Sequence, residues 1–262
     1  MFGRKCSVIG VVHLPPLPGS ASYGGSMEAV LATALSDAVT YKDGGVDALI
    51  LENMHDVPYL RGRVEPETTA AMAVIAHAIK YETVLPIGVQ ILAGANLEAL
   101  GVAVAAGLDF LRVEGFVFAH VGDEGIHQSC AAELIRRRAN LKSEHIKIFA
   151  DIKKKHAAHA ITADVSLVET ARNAEFFRAD GVVVTGPATA YAPEVDEVSS
   201  VKAAIAAPVL VGSGVTPENI AQLAKHSDAL IVGSYAKFDG LWSNEVDPVR
   251  VEKLIAGLSA KI

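Results

Sequence analysis

Residues 208–220 read PVLVGSGVTPENI. An apolar run stops dead at Gly212-Ser213-Gly214, and a helix start follows at once. The next apolar run ends the same way, in Gly233-Ser234 of IVGSYAKF (231–238). Two strands in succession that close on glycine and serine match the last two units of a (β/α)8 barrel, where backbone amides gather around an anion. Gly212 and Gly214 let backbone N–H groups come close to a phosphate, and Ser213 and Ser234 add hydroxyls. A helix over 217–225 is expected to aim its N-terminal amides and dipole at the same point.

Outward from this stretch, short apolar runs alternate with Ala- and Leu-rich helical patterns. The strand-like runs are 6–13, 46–53, 86–92, 109–114, 146–153, 181–186, 208–214 and 228–234. The helical stretches are 26–43, 67–81, 95–106, 128–140, 166–179, 195–206, 217–225 and 248–259. Eight βα units without a linker predict an α/β fold, a single (β/α)8 TIM barrel spanning 1–262, in preference to a doubly wound sheet. The chain is 51% hydrophobic and 20% charged, which suits a globule with a sizeable core. Its net charge of −7 speaks against nucleic acid or an anionic membrane surface as the main partner. Cys6 and Cys130 lack metal-type spacing and read as reduced thiols of a cytoplasmic protein. The basic start MFGRKC leads into a short apolar run that reads as the first strand rather than a targeting signal. No run approaches the roughly 20 apolar residues of a membrane span, so no integral membrane segment is expected.

In a barrel, catalytic groups come from several strand ends. In IKIFADIKKKH (146–156) the two-residue period puts Ile146, Ile148, Ala150 and Ile152 on the helix-facing side. Asp151 and Lys153 then point into the mouth, where a carboxylate and an ammonium can move protons or hold a carbonyl. Lys155 and His156 lie just beyond. Arg112 and Glu114 share an inward face on the fourth strand. His13, Glu52, Asn53, Gln90 and Thr185 are polar where other apolar runs stop. After the last strand, Lys237 is placed to face the phosphate and Asp239 a sugar hydroxyl. The loops 14–25 and 54–66 are longer than minimal, and the first, rich in Gly and Pro, is a candidate lid. There is no His-x-His on the first strand, no HExxH, no GxSxG and no nicotinamide-type GxGxxG. Spacing does not support a divalent ion at His13, Glu52, Glu114, Asp151 and His156, and neither a metal nor a cofactor is expected.

Several stretches together resemble the BtpA/SgcQ family: HLPPLPGS (13–20), ENMHDVPY (52–59), ADIKKKHA (150–157), VVTGPATA (183–190), VLVGSGVTPENI (209–220) and VGSYAKFDGLWSNEVDPVRVEKL (232–254). The resemblance runs over nearly the whole chain and implies a TIM barrel. It implies less about chemistry, since some members are named for photosystem I or membrane-complex biogenesis and others for sugar-phosphate systems. Asp151, Lys155 and His156 match the family's D-x-x-x-K-H segment, which favours Lys155 and His156 over Lys153. QILAGAN (90–96) and EGFVFAHVGDEG (114–125) depart from the bacterial pattern at the mouth.

The expected function is that of an isomerase, lyase or glycosidic-bond hydrolase acting on a phosphorylated sugar or a nucleoside-type molecule. Asp151, His156, Lys155, Lys153, Glu52 and Glu114 are its candidate catalytic groups. The alternatives are a biogenesis scaffold and a phosphosugar sensor. A homo-oligomer is expected on general grounds.

Overall fold

The computed structural model describes residues 6–259; the basic start, 1–5, lies outside them. In chain order the elements are β1 (Ser7–His13), α1 (Met27–Asp43), β2 (Ala48–Glu52), α2 (Pro66–Thr83), β3 (Ile87–Gln90), α3 (Asn96–Ala106), β4 (Phe110–Val113), β5 (His120–Gly122), β6 (Gly125–His127), α4 (Ala131–Asn140), β7 (Lys147–Ile152), β8 (Ala157–Ala158), α5 (Leu167–Phe176), β9 (Gly181–Val184), α6 (Val195–Ala204), β10 (Val209–Val211), α7 (Ile220–Leu223), β11 (Ala229–Val232) and α8 (Pro248–Ser259). Strands β1, β2, β3, β4, β7, β9, β10 and β11 close a barrel in that order, with parallel pairing throughout. The (β/α)8 architecture is therefore the one read from the sequence.

Each strand alternates between two jobs. One set of side chains, Ile9, Val11, Ala48, Ile50, Phe110, Phe149, Val183, Leu210, Ala229 and Ile231, fills the barrel interior. The other set, including Val8, Val12, Leu49, Leu51, Leu111 and Ile148, packs outward on the helices. The interior has no spare room: a Cβ on Gly88 would lie 2.1 Å from the Phe110 ring, which itself packs on Phe149 at 5.5 Å between centroids. Two residues further along, the inward positions of six strands become polar, at His13, Glu52, Gln90, Arg112, Asp151 and Thr185, and those of β10 and β11 become Gly212 and Gly233. His13 stands beside Glu52, and Glu52 beside Gln90, in strict register. The apolar plug thus forms the floor of a polar mouth at the C-terminal ends of the strands.

The structure departs from the sequence reading in four places. The helix expected over 217–225 shrinks to the four residues of α7. Asn219 ties up the preceding turn instead: its Oδ1 accepts from the Thr216 amide (2.8 Å) and its Nδ2 donates to the Gly214 carbonyl (2.9 Å). No long helix dipole is therefore aimed at the Gly-Ser-Gly turn. Second, the segment 114–128 is more than a loop. β5 pairs with β6 and with β8 in a small antiparallel sheet, whose two- and three-residue strands are too short to show a period. Third, loop 14–25 is pinned rather than free. Leu14 and Leu17 are fully buried, the Leu17 amide donates to Asp56 (2.8 Å), and Thr68 donates to the Pro18 carbonyl (2.8 Å).

The fourth departure concerns the segment after β11. Lys237 is buried against α1 and lines neither cavity of the mouth. Its side chain is 0% exposed, and Nζ lies 2.6 Å from Asp37 of α1. The other Asp37 oxygen accepts from the Val246 amide (2.7 Å), so this pair clamps 237–246 onto α1. Asp239, at φ 58°, sits exposed at the tip of the same segment and is not part of the mouth. Lys237→Met should destabilise the fold by about 3–5 kcal/mol, because it leaves a buried carboxylate unpaired. Urea denaturation checks this, and Lys237→Met combined with Asp37→Leu should recover part of the loss. Unchanged stability in the single variant would refute the clamp.

Candidate functional site

The mouth contains two connected cavities. The first, about 740 Å³ counting its opening, lies against the β10 and β11 turns and is walled by Gly212–Thr216, Gly233–Tyr235, Thr189, His13 and Arg250. The second, about 900 Å³, lies over β2, β3, β4 and β7 and is walled by Gln90, Glu114, Asp151, Lys154, Tyr59 and Trp242. Glu52, Met54, Arg112, Lys155 and Thr189 line both and mark the junction.

Arg112 organises the floor. Its Nε donates to both oxygens of Asp151 (3.1 and 3.2 Å), and Nη1 donates to Glu52 Oε1 (3.1 Å). All three side chains are nearly buried. Beside them Gln90 Nε2 donates to Glu114 Oε1 (3.1 Å), and Lys154 Nζ lies 3.2 Å from Glu114 Oε2 in an ion pair off hydrogen-bond geometry. Burial pushes the carboxyls of Glu52 and Glu114 above their ordinary range, against the pull of Arg112 on the first and of Lys154 on the second. Burial, and after it the charge of Arg112, pulls the Lys155 ammonium below its ordinary range. The site therefore holds acids inclined to keep a proton and an amine inclined to lose one, the pairing proton-transfer chemistry uses.

His13 is buried with Nδ1 2.9 Å from the Trp242 carbonyl. That partner can only accept, so Nδ1 carries the proton and Nε2, 3.9 Å from Glu52, is the lone-pair side. Burial, reinforced by the nearby Lys237 charge, lowers its pKa to about 3.

His13, Glu52, Gln90, Arg112, Glu114 and Asp151 all line the mouth: polarity where an apolar run stops marked the first three, and the strand period the other three. The period fails at Lys153. β7 ends at Ile152, and Lys153 adopts φ 48°. Its Nζ turns outward to the Thr162 carbonyl (2.7 Å) and hydroxyl (3.3 Å). Lys154 and Lys155 take its place. Lys154, buried and paired with Glu114, was missed because strand alternation assigns it to the other face. Asn53 also serves the scaffold: Nδ2 donates to Asp56 (2.9 Å), and Oδ1 accepts from the Leu92 amide (2.8 Å). Thr185 lies beside Gly212 with Oγ1 buried and unpaired, outside both cavities. His156 is exposed at the rim, with Nε2 2.8 Å from Thr189 Oγ1. Among the described residues no three His, Cys, Asp or Glu side chains are arranged to hold a metal ion. Nor does any described helix have the length and apolar content to cross a membrane.

The turns have their own logic. A Cβ on Gly214, at φ 65°, would lie 2.0 Å from the Ala192 amide nitrogen, and one on Gly212 would lie 2.5 Å from Val183 and 3.2 Å from Arg112. Both glycines thus admit neighbours as well as exposing backbone. Ser213 Oγ is 3.4 Å from Lys155 Nζ. No acceptor among the described residues takes the amides of Ser213, Gly214 or Val215. Arg250 closes the far side, stacked 4.4 Å over the Tyr235 ring, its Nε donating to the Tyr235 carbonyl (2.5 Å).

The BtpA family model matches residues 4–260. The chain belongs to the BtpA family. A mitochondrial protein of Caenorhabditis elegans is 44% identical over 253 residues, covering 95% of this chain and 91% of its own. The photosystem I biogenesis protein BtpA of Synechocystis is 36% identical, covering 98% and 90%. Among solved structures, thiamine phosphate pyrophosphorylase of Pyrococcus furiosus superposes with a TM-score of 0.60 at 13% identity, covering 98% of each chain. Phosphoribosylanthranilate isomerase of Thermotoga maritima does so with 0.59 at 13%, covering 97% and 99%. At such identities these structures establish the barrel for this BtpA-family chain and nothing finer.

The His13 assignment has a pH signature. Its folded value near 3 lies below the 6.5 of an unfolded histidine. Between those values the unfolded chain binds more protons, so this contribution to stability is full above pH 6.5 and is lost as pH falls towards 3. From pH 7 to pH 5 the protein should lose about 2 kcal/mol relative to His13→Gln. Comparison with the variant cancels the titrations of Glu52 and Glu114. Parallel pH–stability curves for the two proteins would show that His13 is not held neutral.

Proposed function

We propose that this protein is an enzyme acting on a phosphorylated sugar or nucleotide-type small molecule. In this reading the phosphate is held at the β10 and β11 turns and the chemistry occurs over the buried acids. The observation that carries it is the set of unpartnered amides at Ser213, Gly214 and Val215, in a cavity that also presents Lys155 and Arg250. Backbone N–H groups beside cations suit a phosphate dianion.

A ligand anchored there extends its uncharged end across the junction into the second cavity. It meets Glu52, Glu114, Lys154 and Lys155, with Tyr59 and Trp242 as walls. Glu52, Glu114 and Lys155 are the groups suited to exchange protons. Asp151, with both oxygens accepting from Arg112 Nε, serves as the positioning carboxylate. Fold neighbours named for a thiamine phosphate and for a phosphoribosyl compound agree with this class of ligand. A scaffold role in biogenesis rests on the name of the Synechocystis relative, and it gives no reason for acids and an amine to be desolvated together on an open cavity.

Thermal melting of the purified protein with sugar phosphates, nucleotides and inorganic phosphate tests the reading. A true ligand at a hundred times its Kd should raise Tm by roughly 5–10 °C. Ser213→Asp, which adds a carboxylate where the phosphate would sit, should abolish the rise. A folded protein that no phosphorylated compound stabilises would overturn the proposal.

A further inference from the structure

We propose that Lys155 captures carbonyl compounds: its Nζ forms a Schiff base with the aldehyde or ketone of a small molecule whose phosphate is held at the β10 and β11 turns. This rests on the phosphate reading above and names the substrate class, phosphorylated aldehydes and ketones.

The geometry separates Lys155 from every lysine around it. Lys153 is engaged by Thr162, Lys154 by Glu114 and Lys237 by Asp37. Lys155 has a single long contact, 3.4 Å to Ser213 Oγ, and among the described residues no carboxylate lies within 4.0 Å of its Nζ. It stands at the junction, lining the phosphate cavity and the acid cavity alike. A carbonyl a few atoms from a phosphate at the turns would meet it there.

The local backbone is built to deliver it. In an unbroken strand only one of Lys154 and Lys155 would face the mouth. Left-handed residues at Lys153 (φ 48°) and His156 (φ 54°) bracket the pair and turn both side chains to the cavity. Left-handed backbone at non-glycine residues is unfavourable and persists where the surroundings demand it. The lowered proton affinity of Lys155, from burial and from Arg112, adds to this by raising the share of free amine.

The chemistry closes on groups present. The Nζ lone pair attacks the carbonyl carbon, the carbonyl π pair moves to oxygen, and proton transfer from nitrogen to oxygen gives a neutral carbinolamine. A further proton, for which the buried Glu52 carboxyl is the candidate donor, lets the hydroxyl leave as water, and nitrogen carries the positive charge of the iminium. Glu52 Oε1 is held by Arg112 Nη1, which leaves Oε2 for that proton. The surrounding carboxylates Glu52, Asp151 and Glu114 favour a cation at Lys155.

The test is reductive trapping on the full chain. Glyceraldehyde 3-phosphate, dihydroxyacetone phosphate and ribose 5-phosphate would each be incubated with sodium cyanoborohydride, with unphosphorylated glyceraldehyde and ribose in parallel. Hydride from the reagent fixes the iminium as a secondary amine, so the protein gains the mass of the carbonyl compound less one oxygen. We expect one adduct, mapped by peptide mass spectrometry to Lys155, at least tenfold faster with a phosphorylated compound than with its counterpart and suppressed by inorganic phosphate. Lys155→Arg, checked for a normal melting curve, should abolish it; mapping on the unmodified sequence stands even where that variant fails to fold. Compounds that raise Tm but leave Lys155 unlabelled, or labelling spread evenly over surface lysines, would overturn the Schiff base and leave the phosphate site standing. Equal capture at Lys155 with and without phosphate would keep the Schiff base and overturn the phosphate site.

Discussion

Arg112 is the interaction on which the mouth depends. A guanidinium on the floor of a barrel, over an apolar plug, has lost most of its water and must be paid back in hydrogen bonds. Its fork meets Asp151 with Nε and Glu52 with Nη1, which ties β2, β4 and β7 together at their C-terminal ends. That pairing has a consequence for its neighbours. With Arg112 already serving two carboxylates and Lys154 a third, Lys155 is left in the same low-dielectric space with Ser213 Oγ at 3.4 Å and no carboxylate of its own. A desolvated amine beside a fixed cation is less basic than one in water.

The glycines at the β10 turn connect this charge network to the anion cavity. Gly212 is bare because Val183, Thr185 and the Arg112 guanidinium crowd its missing side chain, and Gly214 because the backbone of Tyr191 and Ala192 passes over it. Close packing, rather than ligand approach alone, explains why both positions lack a Cβ. The same packing leaves Ser213 between them with its hydroxyl toward Lys155, and the amides that follow without acceptors. The phosphate reading thus depends on how loop 186–192 seats against the turn after β10, where Ala188 meets Ser213 and Tyr191 and Ala192 meet Gly214, residues more than twenty positions apart.

Much of the fold was legible because barrel strands obey a two-residue period and barrel helices a 3.6-residue one, and both survive in a single sequence. All eight strands lie inside the expected runs. The failures have separate causes. Where regular structure ends, the period ends with it: Lys153 leaves the mouth because β7 stops one residue earlier. Lys237 was misplaced for a different reason. A lysine shortly after a glycine-serine turn looks available for an anion, and its partner Asp37 lies 200 positions away on α1.

The sequence by itself determined the eightfold order of strands and helices, the inward faces that carry Arg112, Glu114 and Asp151, and the polar strand ends at His13, Glu52 and Gln90. Those follow from local periodicity and from the exclusion of water from one side of each element. Only the tertiary structure decided which of these groups are matched and which are not: Asp151 to Arg112, Lys154 to Glu114, Lys237 to Asp37, and Lys155 to no carboxylate. Charge pairing in a desolvated space is set by distances of a few ångströms between strands that the chain brings together from far apart, and no local pattern encodes those distances.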